Sequence, residues 1–481
     1  MSDRKSFYIT TTLPYVNAEP HVGFAMEYIR ADVIARWKKQ EGFDVFFNTG
    51  TDEHGQKLFD AAREGGEEVQ AYVDRYAESF KGLAKLLGVS EDVHFIRTTD
   101  AHHEKAAQAF WELCDKNGYI YKKNYQVKYC VGCELNKTDS ELVDGRCPIH
   151  PNRDIELIDE ENYFFKFSAF EEQLLDLYKK NETFVIPDFR FNEIKSFVER
   201  GLEDFSISRL KSKMSWGVEV PGDPEQVMYV WFDALVNYIS TLGWPENTDQ
   251  FEKYWEKGTP VQYAGKDNIR QQAAMWQAML MAAGLPNTSQ IVINGHITGA
   301  GGVKMSKSLG NVVNPYDVVS EYGTDALRYF LLREVSSFED SPFTMERFKE
   351  SYNSGLANGL GNLTSRIMKM AETNISDPVS LSSTEFPAEF IQYVNRFDIQ
   401  KATEYIWHEI SLLDSKIQET EPFKLVKTEP EKGREIICEL VTGLYRVAYM
   451  LKPILPTTSE KILTLIAENK SPSEPLFLRK D

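Results

Sequence analysis

The sequence has 481 residues, 42% of them apolar and 26% charged, which predicts a globular protein of two or three domains with large hydrophobic cores. Its formal net charge of −19 repels polyanions at long range, which argues against indiscriminate coating of nucleic acids, so RNA binding would need a local basic surface. No apolar run approaches the roughly 20 residues that span a bilayer, and the N-terminus, MSDRKSFYIT, lacks the apolar segment of a secretory signal. A cytoplasmic protein without a membrane partner is expected.

The start of the chain has the pattern of a βαβ unit. Residues 6–12, SFYITTT, are β-branched and aromatic, as in a strand. The prolines of LPYVNAEPH interrupt this pattern, and residues 23–42 then place apolar side chains at helical spacing. A second strand is predicted at 42–50, GFDVFFNTG. Such a unit predicts a parallel sheet with helices on its faces, with an unrelated α+β packing as the alternative.

The pattern changes twice further along the chain. Residues 120–160 are polar and contain cysteines, which indicates an insertion. Parallel-sheet signals return in MYVWFDALVNYIS, TPVQYAGKD and QIVING, and from about residue 345 the pattern is nearly all helical. The predicted fold class is therefore α/β: a parallel-sheet domain with an insertion, followed by an α-helical bundle.

Two segments have the residues expected of a phosphate site. His21 and Gly23 lie between the first strand and the first helix, where a helix N-terminus favours anions; Gly23 permits close backbone approach, and His21 can donate a hydrogen bond to phosphate. Residues 301–311, GGVKMSKSLGN, place Lys304 and Lys307 on a glycine- and serine-rich loop, where they can neutralise departing pyrophosphate. An ordinary helix start and a solvated basic loop are the alternative interpretations.

The cysteine spacing predicts a metal site. Cys130-x2-Cys133-x13-Cys147-x2-His150 supplies four ligands as two close pairs, the arrangement that tetrahedral Zn²⁺ prefers. Three thiolates and an imidazole leave no open coordination position, so the zinc would be structural. Free cysteines that happen to cluster are the alternative.

Three residues of the helical region have the chemistry of base recognition. Asn362 and Arg366 are four apart, so they share one helix face, and both can read an unstacked base. Phe423 begins a predicted helix and can stack on a splayed base. A helix cap and a core phenylalanine are the alternative interpretation.

Taken together, these motifs resemble those of class I aminoacyl-tRNA synthetases. KMSKS matches that family's lysine loop in full, and HVGF is similar to its HIGH motif. The segments TTLPYVNAEPHVG, NTGTDEHGQK, YVWFDALVNYIS, GKD and KMSKSLGNVV resemble methionyl-tRNA synthetases in particular, in order and spacing, to roughly residue 460. The zinc motif is similar to the single-zinc connective insertion of some bacterial members.

The resemblance implies a role for residues along the chain. The methionine side chain would be lined by Leu13, Tyr15, Trp231, Ala234, Leu235 and Tyr238, an aromatic and aliphatic set that suits a thioether. Asp52 would hold the ammonium group, and Arg209 would neutralise the carboxylate or a phosphate. ATP would be bound by Asn17, His21, Gly23, Asp267, Lys304 and Lys307. Without the resemblance, residues 231–238 fit a core strand that leads into a buried helix.

Three positions depart from the family pattern. Methionyl enzymes usually have an apolar residue at Asn268 and a histidine at Gln272, and both positions contact the amino acid in the family. Two polar replacements in a hydrocarbon-lined pocket can alter selectivity. Phe24 stands where the final histidine of HIGH contacts ATP in the family, so one ATP contact is lost.

The resemblance also implies a domain order. Residues 1–118 and 226–310 would form the two halves of a Rossmann-type catalytic domain, 119–225 the zinc-containing connective insertion, 311–345 a stem-contact linker, and 346–481 the helical anticodon-binding domain. Asn362, Arg366 and Phe423 would read the CAU anticodon, although the family usually has tryptophan at the last position. The chain ends soon after the bundle, so the appended dimerising domain of many relatives is not expected and a monomer is.

The implied activity is that of a methionine–tRNA ligase. Methionine and ATP, with Mg²⁺, would form methionyl-adenylate, and a ribose hydroxyl of methionine tRNA, the initiator included, would then take the methionyl group. The alternatives are a class I synthetase for leucine, isoleucine, valine or cysteine, a small-molecule nucleotidyltransferase, and a non-catalytic synthetase-like tRNA-binding protein. The two lysines argue against the last of these.

Overall fold

The structure is a computed structural model that describes residues 4–17, 19–133, 135–137, 141–303, 305, 312–376, 378–379 and 385–480. The chain forms two compact units, each built from discontinuous segments. Unit 1 comprises Met1–Glu19, Asp44–Gly82 and Asp92–Ile293, and unit 2 comprises Pro20–Phe43, Leu83–Glu91 and Asn294–Asp481. The five domain boundaries expected from the sequence stay a prediction. Lys304 and Lys307 lie outside the described residues.

A six-stranded sheet forms the centre of unit 1. Its strands are, in order across the sheet, His94–Arg97, Asp44–Thr51, Ser6–Thr11, Thr259–Gly265, Gln290–Asn294 and Val185–Ile186. The first strand pairs in parallel with both of its neighbours, which confirms the predicted parallel sheet. The strands Asp44–Thr51 and His94–Arg97, which are the next strands of this sheet along the chain, lie on one side of Ser6–Thr11. The later strands of this sheet lie on its other side. At such a reversal of strand order, the carboxyl ends of the two central strands border a crevice, where α/β folds bind ligands.

Two antiparallel sheets lie between the halves of the parallel sheet in the chain. One contains Leu135–Asn136, Ile120–Cys130, Glu156–Phe165 and Phe205–Ser206, and the other contains Glu219–Val220, Asp223–Met228 and Ser208–Leu210. They confirm the predicted insertion. The parallel strand predicted in MYVWFDALVNYIS is wrong. Its strand ends at Met228 within the second antiparallel sheet, and two short buried helices follow, Val230–Ala234 and Asn237–Ser240.

The other helices of unit 1 pack through apolar faces. In Ala101–Lys116 the buried residues His103, Ala106, Ala107, Phe110, Trp111 and Cys114 follow helical spacing. Phe110 stacks on Trp276 with ring centroids 5.5 Å apart. The remaining helical segments are Gln56–Glu64, Val69–Leu86, Phe167–Phe170, Glu171–Lys180, Asp188–Glu199, Phe251–Glu256, Lys266–Asn268, Gln271–Met275 and Trp276–Ala283.

Unit 2 is predominantly helical, as predicted for the C-terminal region. It contains a two-stranded parallel pair, Ile297–Thr298 with Ser341–Pro342. Its helical segments are Val22–Gln40, Ala300–Gly302, Pro315–Tyr322, Thr324–Tyr329, Phe330–Glu334, Met345–Ser351, Tyr352–Gly361, Asn362–Asn374, Ala388–Asn395, Ile399–Thr420, Pro422–Thr428, Pro430–Leu451 and Pro456–Glu468. Within the described part of the chain, no helix combines the length and apolar character needed to cross a membrane.

A buried ion pair joins the separate segments of unit 2. Asp32, on the first helix, and Arg328 are both fully buried, with Nη2 of the arginine 2.9 Å from the carboxylate. Arg328 also donates to the backbone oxygens of Leu87, Pro453 and Ile454. The second carboxylate oxygen of Asp32 accepts from the backbone N–H and the hydroxyl of Ser90. The pair therefore connects the first helix, residues 83–91 and the C-terminal helices through satisfied hydrogen bonds.

Candidate functional site

A cleft opens in unit 1 beyond the carboxyl ends of the central strands. It is lined by Thr12, Leu13, Asp52, Trp231, Ala234, Leu235, Asn237, Tyr238, Asn268, Gln271 and Gln272. Thr12 and Leu13 follow the first strand, Asp52 follows the second, and the residues from 268 to 272 follow the strand Thr259–Gly265. Eight of the ten residues predicted to contact methionine therefore line one cleft.

Two short helices form the apolar wall of the cleft. Trp231, Ala234, Leu235 and Tyr238 are spaced by three, one and three residues, so they fall on one helical face. The wall is held from behind by polar contacts. Tyr8 donates from its hydroxyl to the backbone oxygen of Tyr238 at 2.9 Å, and the Asn48 amide donates to the Asn237 side chain at 3.3 Å. The wall is therefore tied to the sheet.

Asp52 supplies the carboxylate of the cleft and is only 7% exposed. Its backbone N–H donates to the backbone oxygen of Pro14 at 2.9 Å, and its backbone oxygen accepts from the N–H of Val16 at 3.3 Å. Tyr15 forms a parallel bridge with Asp52, and a β-carbon added at Gly55 would lie 2.6 Å from the Tyr15 hydroxyl. The backbone of Tyr15 thus lies beside that of Asp52, and the Tyr15 hydroxyl lies against Gly55, where glycine is favoured because φ is +118°.

A buried histidine–carboxylate pair supports both sides of the cleft. The Asp233 carboxylate lies 2.7 Å from Nδ1 of His54, and both side chains are almost fully buried. Burial lowers the pKa of His54, but the charge of Asp233 and its hydrogen bond outweigh that effect and leave the pKa raised. His54 follows Asp52 by two residues, and Asp233 precedes Ala234. The pair therefore fixes the segment that contains Asp52 to the apolar wall.

Arg209 lies near the wall, on the strand Ser208–Leu210. Its guanidinium carbon is 4.6 Å from the ring centre of Tyr229, and the Tyr229 ring is 5.7 Å from that of Trp231. The guanidinium also donates to the hydroxyl of Ser206 at 2.9 Å. Arg209 is not among the described residues that line the cleft.

The predicted ATP residues fall on three segments. His21 caps the helix Val22–Gln40, with its Nδ1 accepting from the backbone N–H of Gly23 at 3.1 Å. Because Nδ1 is the acceptor, a neutral ring has its proton on Nε2 and can donate there. A β-carbon at Gly23 would lie 2.8 Å from the His21 ring, so glycine is needed beside it. Asn17 and Asp267 are both exposed; Asn17 lies on a bend after the first strand, and Asp267 lies on the short helical segment Lys266–Asn268 that follows the strand Thr259–Gly265.

Phe24 lies at the start of the same helix and contacts His21. Its ring stacks on the His21 ring with centroids 4.4 Å apart and an interplanar angle of 29°. The backbone N–H of Val22 donates to the oxygen of Val313, in the segment that follows the lysine loop in the chain, at 3.3 Å. The helix start and one flank of the lysine loop are thus adjacent in unit 2.

The four predicted zinc ligands lie together. The ligand atoms of Cys130, Cys133, Cys147 and His150 are all within 4.8 Å of one another. The Cys133 sulfur is 3.3 Å from both the Cys147 sulfur and Nδ1 of His150. A β-carbon at Gly132 would lie 2.4 Å from the His150 ring, so the absence of a side chain there allows the histidine to approach. Three thiols and one imidazole at these separations fit tetrahedral Zn²⁺.

Replacement of one ligand tests this metal site. We expect Cys147→Ser to reduce bound zinc from about one ion per chain to a small fraction of that, because a closed structural site needs all four ligands. Metal analysis of dialysed protein measures the ratio. Cys438→Ser, a change on the helix Pro430–Leu451 of unit 2, is the matched control and should leave the zinc content unaltered. Full zinc occupancy in Cys147→Ser would contradict the assignment.

A groove on unit 2 contains two of the three residues predicted to read RNA. It is lined by Ser365, Arg366, Lys369, Met370, Ile417, Phe423, Ser471 and Pro472. Phe423 lies in the first turn of the helix Pro422–Thr428, in agreement with the predicted helix start, and it is 44% exposed. Arg366 pairs with Asp414. Asn362 is exposed one helical turn before Arg366, on the same helix. An exposed ring next to a guanidinium can stack on a base and bond its edge.

Several residues of these sites were not predicted from the sequence. Thr12, Asn237 and Gln271 line the cleft, and each has a predicted residue beside it in the chain. Helical spacing from Ala234 could have indicated Asn237, since the two are three apart. Nothing in the local pattern indicates the pair of His54 and Asp233, because the partners are far apart in sequence.

Comparison with known proteins agrees with this geometry. The model of the family "tRNA synthetases class I (M)" matches residues 7–156 and 149–368. The methionine–tRNA ligase of Caldanaerobacter subterraneus is 41% identical over 95% of this chain and 73% of the relative, and that of Thermotoga maritima is 38% identical over 97% and 76%. The structure of Mycobacterium tuberculosis methionyl-tRNA synthetase in complex with methionyl-adenylate superposes with a TM-score of 0.89 at 35% identity, covering 99% of this chain and all of that one.

These matches span nearly the whole chain at identities well above those at which only the fold is shared. The chain therefore belongs to the methionine–tRNA ligase family of class I tRNA synthetases.

Proposed function

We propose that this ligase binds methionine in the cleft of unit 1 and activates it there with ATP. The observation that supports this most strongly is the combination of one buried carboxylate, Asp52, with an apolar and aromatic wall in a single cleft. An amino acid presents an ammonium group, which needs a nearby negative charge, and a side chain. Trp231, Leu235 and Tyr238 suit a thioether, because sulfur makes favourable contacts with aromatic rings.

The activation step is a displacement at phosphorus. The methionine carboxylate oxygen forms a bond to the α-phosphorus of ATP while the bond from that phosphorus to the pyrophosphate oxygen breaks. In our proposal His21 donates from Nε2 to phosphate oxygens, and Gly23 lets the helix N-terminus approach them. Asn17 and Asp267 bind the rest of the nucleotide. ATP enters as its Mg²⁺ complex, and the ion neutralises phosphate charge.

Charge neutralisation around the leaving pyrophosphate is assigned to the lysine loop. Lys304 and Lys307 lie outside the described residues, so this role rests on the sequence of the loop alone. Arg209 is assigned to the methionine carboxylate or a phosphate, and its stacking on Tyr229 supports a rigid cation near the wall. These fixed charges favour the transition state because they require little reorganisation during the reaction.

The transfer step uses methionine tRNA, including the initiator. A terminal ribose hydroxyl attacks the adenylate carbonyl, and AMP leaves. We assign the groove with Arg366 and Phe423 to anticodon bases, with Asn362 beside it on the same helix. We propose a monomer as the active form.

Phe423→Ala tests the tRNA half of this proposal. Stacking of one base on an aromatic ring contributes about 1 to 3 kcal/mol, so the Michaelis constant for methionine tRNA should rise roughly 10-fold to 100-fold. Methionine-dependent exchange of pyrophosphate into ATP should be unchanged, since it does not involve the groove. Aminoacylation measured at varied tRNA concentrations gives the Michaelis constant for the tRNA.

The control for this variant is Leu412→Ala. Leu412 is another exposed apolar residue of unit 2, 50% exposed on the helix Ile399–Thr420, and it does not line the groove. Its replacement should leave the tRNA constant within about twofold, the range expected of a surface change. Equal effects of the two substitutions would refute the anticodon assignment while leaving the methionine assignment intact.

A further inference from the structure

A chain of buried amides lies behind the part of the cleft lining that contains Gln272. Gln262, Gln272, Gln277 and Thr288 are 1%, 3%, 0% and 3% exposed, respectively. Gln262 is on the strand Thr259–Gly265, next to the first strand, and Gln272 lines the cleft. Four polar side chains buried together are costly unless they are hydrogen-bonded, so their arrangement has a single favoured pattern.

One backbone group orients the Gln277 amide, and the hydrogen bonds beyond it form a consistent donor-to-acceptor chain. The N–H of Thr288 can only donate, and it donates to Oε1 of Gln277 at 3.1 Å. Nε2 of Gln277 therefore donates to the Thr288 hydroxyl at 3.1 Å, and that hydroxyl donates to Oε1 of Gln262 at 2.7 Å. Nε2 of Gln262 then donates to Oε1 of Gln272 at 2.6 Å. In this arrangement Thr288 supports the orientation of the Gln272 amide through Gln262.

As a result, Oε1 of Gln272 already accepts a hydrogen bond from Gln262, and its Nε2 can donate to a ligand. Within the part of the chain that the structure describes, Nε2 of Gln272 has no hydrogen-bond acceptor. This N–H group is not among the fully buried unpartnered atoms of the described residues, and Gln272 lines the cleft, so water can reach it in the free protein. A ligand that covers the N–H without offering an acceptor leaves it unsatisfied, so a ligand that offers an acceptor is favoured. The thioether sulfur of methionine is a weak acceptor, and a hydrocarbon side chain of the same length offers none.

We propose that Nε2 of Gln272 donates to the sulfur of bound methionine, and that Gln262 is a positioning residue that holds the Gln272 amide in the required orientation. This inference rests on the proposed binding of the methionine side chain in the cleft. Norleucine has a methylene in place of the sulfur of methionine. Under this proposal, discrimination between the two amino acids depends on a hydrogen-bond network that extends behind the cleft. The orientation is independent of pH between 5 and 8, because amides do not titrate.

The test is the ratio of kcat/KM for methionine to kcat/KM for norleucine in pyrophosphate exchange. In Gln262→Leu the Gln272 oxygen loses its donor and the amide can turn, so the ratio should fall about threefold to tenfold, mainly through the KM for methionine. Gln272→Leu should lower the ratio at least as much. Thr288→Val, which removes only the hydroxyl donor to Gln262, should lower the ratio in the same direction and is available if Gln262→Leu folds poorly.

The matched control is Gln226→Leu. Gln226 is a buried amide of another sheet, bonded to the oxygen of Glu161 and to Ser208, and its loss should leave the ratio unchanged. A merely structural role for Gln262 would lower both kcat/KM values by the same factor, which would overturn the inference. An unchanged ratio in Gln272→Leu would overturn it as well. If the unaltered protein activated neither amino acid, the proposed methionine site itself would fail.

Discussion

Arg328→Met is expected to lower the free energy of unfolding of unit 2 by about 3 to 5 kcal/mol. The substitution removes the cation that lies 2.9 Å from the fully buried Asp32 and leaves that carboxylate charged in the interior. It also leaves the backbone oxygens of Pro453 and Ile454 without their donor. Urea denaturation followed by circular dichroism gives the change, since unit 2 is largely helical.

Lys432→Met is the control for this variant. Lys432 pairs with Glu429 at 3.5 Å, and both side chains are more than half exposed, so its loss should cost less than about 1 kcal/mol. Similar losses from the two substitutions would contradict the role given to the buried pair.

The same pair predicts how unit 2 responds to acid. Burial raises the pKa of Asp32, but the charges of Arg328 and Arg36 outweigh that effect and leave the pKa lowered. The stabilisation is therefore present above the unfolded-state pKa of about 3.9 and is lost as the pH falls toward the lower folded-state value. In Arg328→Met this part of the acid dependence should shrink.

Asp52→Asn is expected to lower kcat/KM for methionine in pyrophosphate exchange by about 100-fold to 1000-fold. The amide keeps the shape of the side chain but removes the negative charge that we propose faces the ammonium group. Loss of one member of such a pair typically costs about 2 to 5 kcal/mol or more, and a loss of about 3 to 4 kcal/mol is expected here. The KM for ATP should change little. Steady-state exchange kinetics at saturating ATP measure the effect.

A methionine analogue without the amino group separates charge pairing from general damage. 4-(Methylthio)butanoate should inhibit the unaltered protein and Asp52→Asn with similar constants, because it has no ammonium group for Asp52 to hold. Asp60→Asn alters a carboxylate that accepts from Gln56 on the same helix, Gln56–Glu64, and that does not line the cleft, so it should leave methionine activation unchanged. If the analogue lost affinity in Asp52→Asn as strongly as methionine does, the ammonium assignment would be wrong.

Short-range patterns predicted much of the fold and of the metal site. The strands Ser6–Thr11 and Asp44–Thr51 and the helix Val22–Gln40 follow from periodicity over one element, and the four zinc ligands follow from spacing within one insertion. The failure was at residues 228–240. Aromatic and β-branched residues there favour a strand, but burial on two short helices decided the structure. The intervals between Trp231, Ala234, Leu235 and Tyr238 are helical and contained that signal.

Contacts between distant segments could not be predicted from the sequence. Asp32 and Arg328 are separated by almost 300 positions, and neither is distinctive in its own helix. Gln262 and Thr288 meet because neighbouring elements of the sheet bring them together, and a glutamine in a strand has no recognisable pattern. Such partners depend on tertiary packing, whereas the positions of Leu13 and Asp52 in the cleft were predictable because family motifs mark the ends of strands.

The most direct test of the account is pyrophosphate exchange into ATP measured with each of the twenty amino acids. The cleft that contains Asp52, Trp231, Leu235 and Gln272 should support exchange with methionine at a kcat/KM at least about 100-fold above that for leucine, isoleucine, valine or cysteine. Exchange driven by leucine or cysteine in preference to methionine would contradict the assignment of the cleft, and so would an absence of exchange with every amino acid.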